Sequence, residues 1–135
     1  MSARESLAHW HRIIENGSKP EDLAGLLRED AVFHSPVVHT PQVGRAIVTA
    51  YLAAAGQTLG NASFCYVREM VDGHSALLEF ETEMDGIHVN GIDLIRFDAD
   101  GKVVEFKVMV RPLKAVNKVW EQMAAMLERS DGGSP

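Results

Sequence analysis

One carboxylate, Asp93, falls on the most apolar face that the chain offers, within the run VNGIDLIRFDADGKVVEFKVMVRPL at residues 89–113. Pairing Phe97 with Lys102 across the turn Asp98-Ala99-Asp100-Gly101 sets a β-hairpin register in which Asp93 lies opposite Phe106. Side chains alternate between the faces of a strand, so Asp93 shares its face with Val89, Gly91, Ile95 and Phe97, and the partner strand adds Val104, Phe106, Val108 and Val110. An ionisable group in such surroundings is desolvated, protonated or paired from elsewhere in the fold, and each of these marks a place where a proton is held or moved. The opposite face, Asn90, Ile92, Leu94 and Arg96 against Val103, Glu105, Lys107 and Met109, is mixed.

The histidines offer different chemistry, and their spacing limits it. His9 and His11 stand two apart on a helical pattern and point in different directions, and no HxxxH or HExxH motif occurs among the six histidines. No metal ligand set is expected, and no cofactor. The lone Cys65 has no intrachain partner, which fits a reducing cytoplasm.

The elements that must position these groups follow from periodicity. Ser2 and Glu5 form a capping box, and Leu7, Trp10, Ile13 and Ile14 recur at helical spacing, predicting a first helix over residues 3–16. Ser18 is the expected cap of a second short helix carrying Leu23, Leu26 and Leu27. A short strand over 31–34 ends at Pro36, and Thr40-Pro41 predicts the start of a third helix with Val43, Ile47, Val48, Tyr51 and Leu52. From Ala62 the period changes to two, giving long strands joined at Asp72-Gly73 and Asp85-Gly86, with Leu78, Phe80, Thr82 and Met84 on one face of 74–84. Pro112 opens a last helix whose expected buried stripe is Val116, Val119, Trp120, Met123 and Leu127. Residues 130–135 are expected to be a flexible polar tail, leaving a single domain over 1–129.

Helices followed by a curved antiparallel sheet predict an α+β domain in which the sheet wraps over the N-terminal helices and encloses a cavity. The composition agrees: 135 residues, 46% hydrophobic and 24% charged, are ordinary globular values. The net charge of −6, without a basic stripe, argues against nucleic acid or an acidic membrane surface as partner. No run approaches the ~20 apolar residues of a membrane span. Ile92, Leu94 and Met109 on the outer sheet face predict a homodimer.

VNGIDLIRFDADGKVV resembles the corresponding hairpin of bacterial ketosteroid isomerases, and LREDAVFHSPV with GRAIVTAYL supports the same likeness. Over residues 6–120 the order of elements is similar to the cone-shaped fold shared by ketosteroid isomerases, SnoaL-like polyketide cyclases and nuclear transport factor 2, a cystatin-like architecture. Ketosteroid isomerases are themselves the standing example of an acid kept neutral in an apolar pocket to donate a hydrogen bond to an enolate, and the resemblance puts Asp93 in that role. It puts Trp10, an indole N–H donor, where that family has a tyrosine. Where the family's base, an Asp before a Pro, would stand, this chain has Ser35-Pro36, and a serine needs a base beside it to shuttle a proton. His39, in the following loop, is the replacement candidate. The cyclases' acid of the last strand is replaced by the apolar Phe106, Val108 and Val110.

Two functions stay open on this reading. One is isomerisation or proton transfer next to a carbonyl, using Asp93 with Ser35 or His39; the other is a non-catalytic ligand-binding or dimeric interaction module. Both place a hydrophobic small molecule against Trp10, Phe80, Phe106, Val108 and Val110.

Overall fold

The structure, a computed structural model, describes residues 2–130, with side chains through residue 125. The described residues form four helices and six strands. The first helix, α1 (Ala3–Glu15), begins at the expected capping box, with Glu5 N donating to Ser2 Oγ and Ser2 N to Glu5 Oε1, each at 3.2 Å. Its stripe of Leu7, Trp10 and Ile13 is buried. Next comes α2 (Pro20–Leu26), which buries Leu23 and Leu26. Its N-cap is Lys19, not Ser18. Ser18 instead has a positive φ of 53° and is buried against Gly56; a Cβ on Gly56 would lie 2.6 Å from Ser18.

Strand β1 (Leu27–His34) is twice the length its apolar centre predicts, because its first half also pairs with the sheet. The two-residue β2 (Gln42–Val43) follows, antiparallel to Val32–Phe33. That pairing consumes the residues after Thr40-Pro41, so α3 (Arg45–Leu59) is capped by Gly44 and not by the predicted cap. Strands β3 (Cys65–Asp72), β4 (Ser75–Met84), β5 (Ile87–Phe97) and β6 (Val103–Arg111) form the antiparallel meander, and α4 (Leu113–Ser130) closes the described chain. The sheet order is β2-β1-β6-β5-β4-β3. The sheet is mixed where pure antiparallel pairing was expected, since β1 runs parallel to β6.

The β5–β6 register differs from the expected one by two residues. Asp98 N donates to Lys102 O, Phe97 pairs with Val103, and a bulge before Arg96↔Glu105 brings Asp93 opposite Val108 and Ile95 opposite Phe106. A shift of two preserves the face, so Asp93 stays among Val89, Ile95, Phe97, Phe106 and Val108, all buried. On β4, Leu78, Phe80, Thr82 and Met84 are buried as the alternation predicts.

α4 buries Ala115, Val119 and Met123, a stripe at four-residue steps, while Val116 is half-buried. Trp120, expected in that stripe, is 57% exposed, one position further round the helix than Val119. The side chain of Leu127 and the tail at 131–135 lie outside the described residues. No helix among the described residues is long and apolar enough to cross a membrane.

Candidate functional site

The inner face of the sheet and helices α1, α3 and α4 enclose a cavity of about 490 Å³. Its walls are aromatic. Trp10 packs on Phe106 with ring centroids 5.0 Å apart, Phe33 stacks on Phe106 at 6.2 Å, and Phe64 lies on Phe80 at 5.4 Å and edge-on to Tyr66 at 5.0 Å. Leu52, Leu59, Val119 and Met123 complete the apolar lining from α3 and α4.

Asp93 lines this cavity and is only 6% exposed. Burial pushes its carboxyl up to about 7, since an apolar medium penalises the charged form; a hydrogen bond from Tyr66, which favours the anion, offsets part of the rise. Tyr66 Oη donates to Asp93 Oδ2 at 3.3 Å and accepts from Trp10 Nε1 at 3.0 Å. Burial, and then the charge of Asp93, hold the Tyr66 phenol well above its usual range. Three elements therefore meet at one point: Trp10 from α1, Tyr66 from β3 and Asp93 from β5. The first is set in place one turn earlier, where buried Ser6 donates to the Gly101 carbonyl in the β5–β6 turn at 2.9 Å and so fastens α1 to the hairpin that carries Asp93.

Trp10, Phe80, Phe106 and Val108 all line the cavity. Val110 does not. It shares their parity but is opposite Gly91, where the Phe80 ring lies over the bare backbone, and it lines a separate outer groove instead. Ser35 lines both the cavity and that groove, and its Oγ accepts from Val37 N at 3.1 Å, closing a turn at the end of β1. No hydrogen bond joins it to a titratable side chain among the described residues. His39 lies on the groove side and is exposed, because the turn at Ser35 carries the loop away from the cavity before it. The structure thus brings Asp93 and Trp10 together, leaves Ser35 on the wall, and does not bring His39 in.

Three other histidines are paired with glutamates: His11 with Glu69 at 2.8 Å, His34 with Glu105 at 3.2 Å and His88 with Glu81 at 4.0 Å. No group of three or more His, Cys, Asp or Glu side chains is arranged to hold a metal ion among the described residues. Within the cavity lining the titratable side chains are Asp93 and Tyr66. Tyr66 is the site residue that the sequence pattern does not single out. The available signal is register: counting back from the Asp72-Gly73 turn places Tyr66 beside Phe80, on the cavity face, once the bulge between Tyr66 and Arg68 is allowed for.

The sequence matches the SnoaL-like domain family over residues 7–106. Among solved structures, a steroid delta-isomerase from Pseudomonas aeruginosa is 36% identical with a TM-score of 0.89, the match covering 96% of this chain and 94% of that one. An uncharacterised protein with a cystatin-like fold from Silicibacter pomeroyi DSS-3 is 29% identical with a TM-score of 0.82, over 89% of this chain and 83% of that one. A nuclear transport factor 2-like protein from Mesorhizobium loti shares the fold at 22% identity and a TM-score of 0.69, over 82% of this chain and 91% of that one. No curated protein matches the sequence.

Proposed function

The chain belongs to the SnoaL-like domain family, with the cone fold of nuclear transport factor 2-like proteins, and from that premise we propose that it binds an apolar, oxygen-bearing small molecule with that oxygen on Asp93. The observation that carries this reading is the buried acid itself: Asp93 is the one carboxyl lining an aromatic cavity, and its Oδ1 makes no hydrogen bond among the described residues. Among the described residues Thr49 Oγ1 is the buried side-chain atom without a partner, so Asp93 Oδ1 keeps access to the cavity, where the protonated acid can donate to a ligand carbonyl or hydroxyl. Apolar area against Trp10, Phe80 and Phe106 supplies most of the affinity and the single polar contact supplies orientation.

A second reading is double-bond isomerisation next to a carbonyl, supported by the 36% identity to a steroid delta-isomerase. That chemistry needs a proton acceptor as well as a donor. Ser35 Oγ hydrogen-bonds to Val37 N and to no titratable side chain among the described residues, and His39 does not line the cavity, so the acceptor inside the cavity would be Asp93 itself, which near pH 7 exists in both forms. Binding therefore leads.

Calorimetric titration with the aromatic ketone 2-acetylnaphthalene tests the binding reading. Wild type binds below pH 7 and loses affinity by about tenfold per pH unit well above it, as the donor ionises; Asp93→Asn, whose amide keeps a donor that does not titrate, binds without that pH dependence. Identical pH profiles for the two proteins refute Asp93 as the polar contact. For the second reading, an unsaturated steroid ketone is incubated with the protein and the absorbance of the conjugated enone is followed; growth that Asp93→Asn abolishes establishes catalysis.

A further inference from the structure

The chain Trp10 to Tyr66 to Asp93 has a direction fixed by its first member. An indole N–H can only donate, so the Tyr66 oxygen accepts from Trp10, and the phenolic proton is turned to its other partner, Asp93 Oδ2. An Oδ2 that accepts a hydrogen bond is the poorer seat for the acid's own proton. That proton belongs on Oδ1, the oxygen without a partner in the described structure. We propose that Tyr66, oriented by Trp10, is the positioning residue of the pocket acid: it occupies Oδ2 and leaves Oδ1 as a one-point donor for a single acceptor atom. The proposal rests on the binding reading for its ligand, but not for the orientation of the acid.

Two consequences separate this arrangement from a merely structural tyrosine. A ligand whose polar end needs both carboxyl oxygens, as a primary amide or a carboxylic acid does, is disfavoured against a ketone of the same shape, because one oxygen is already taken. And Tyr66, by donating to Asp93, favours the anion and holds the acid's titration below where burial alone would put it. The surroundings contain little else that could set that titration. The sheet neighbours Leu78 and Val108, the aromatic rings of Phe80 and Phe106, and Val119 and Met123 of α4 carry no charge. On the tyrosine side His11 lies edge-on to the Tyr66 ring at 5.2 Å and pairs with Glu69, both partly solvated.

The experiment follows the Asp93 carboxyl carbon by 13C NMR across pH in the intact protein, in wild type, Tyr66→Phe, Trp10→Phe and the control His11→Gln. Tyr66→Phe removes only the hydroxyl, so its expected result is an Asp93 midpoint raised by about one pH unit. Trp10→Phe leaves Tyr66 free to turn, and the expected rise is smaller. His11→Gln is expected to leave the midpoint in place. In parallel, 2-acetylnaphthalene and 2-naphthamide are titrated at pH 6, where the affinity ratio is expected to favour the ketone in wild type and to shift severalfold toward the amide in Tyr66→Phe. An unmoved midpoint in Tyr66→Phe overturns the positioning role, even if the ketone binds. A raised midpoint in a protein that binds neither compound upholds the positioning role and refutes the binding reading instead. A midpoint that moves as far in His11→Gln as in Tyr66→Phe assigns the effect to the ion pair and overturns the proposal.

Discussion

A carboxyl that burial holds at about 7 makes stability depend on pH in a direction opposite to that of an ordinary salt-bridged acid. The folded chain binds the Asp93 proton more tightly than the unfolded chain, whose carboxyl titrates near 3.8. Between these values the native state carries a proton that the unfolded state has lost, so this group's contribution falls as pH rises through that window and levels off above 7. The difference amounts to on the order of 4 kcal/mol. Urea unfolding at pH 5 and pH 8 checks it: Asp93→Asn should lose less stability than wild type between the two, and equal losses would show that Asp93 does not titrate as a buried acid. Asp93 is legible in the sequence because strand parity alone puts it on the apolar face, and a two-residue error in register does not disturb parity. Tyr66 is not, because its partnership with Trp10 and Asp93 joins residues 56 and 27 positions apart through the curl of the sheet, which no local pattern encodes. His39 lies outside the cavity for a similar reason: its position depends on the turn at Ser35, not on its place in the chain.

At the scale of elements, β4 and β5 reach their pairing because one of them gives up a side chain. Gly91 pairs with Phe80, and a Cβ built on Gly91 would run into the Phe80 ring and come within 2.8 Å of the Met109 carbonyl oxygen. The ring lines the cavity on one side and stacks on Phe64. Gly91→Ala is therefore expected to destabilise the fold by roughly 1–3 kcal/mol through overpacking, and to weaken ketone binding by narrowing the cavity. Urea unfolding together with calorimetry measures both, and a variant as stable as wild type would mean that Phe80 is free to give way. The strands and their turns were legible since alternation and Asp-Gly pairs are local signals; Met84 and Ile87 close directly over Asp85-Gly86. What could not be read locally was decided by partners. β1 is extended and made parallel by β6, and the start of α3 is delayed by the pairing of β2 with β1.

At the scale of the molecule, the convex face of the sheet carries the apolar side chains that the cavity does not use. Cross-strand register sets them in two adjacent rows, Met70, Leu77, Leu94 and Lys107 in one, and Arg68, Glu79, Ile92 and Met109 in the next. Met70 is 53% and Met109 44% exposed, while Leu77, Leu94 and Ile92 are half-buried. Arg68 is within 3.6 Å of Glu79, and Arg96 lies opposite Glu105 at the end of the patch. An apolar centre edged by both signs of charge is self-complementary under a two-fold axis, which a patch edged by one sign alone would not be. We propose that two copies pair through this face, and that a net charge of −6 per chain does not prevent it because the acidic residues at the patch are matched by Arg68, Arg96 and Lys107. Sedimentation velocity at micromolar concentration should then give a dimer for wild type. Leu94→Lys, which puts a charge at the centre of the outer face and leaves the cavity side of β5 intact, should sediment as a monomer while binding 2-acetylnaphthalene at pH 6 within a few-fold of wild type. A wild-type monomer refutes the interface. A Leu94→Lys dimer would place the contact elsewhere, and a monomer that no longer binds the ketone would show that the cavity depends on the second copy.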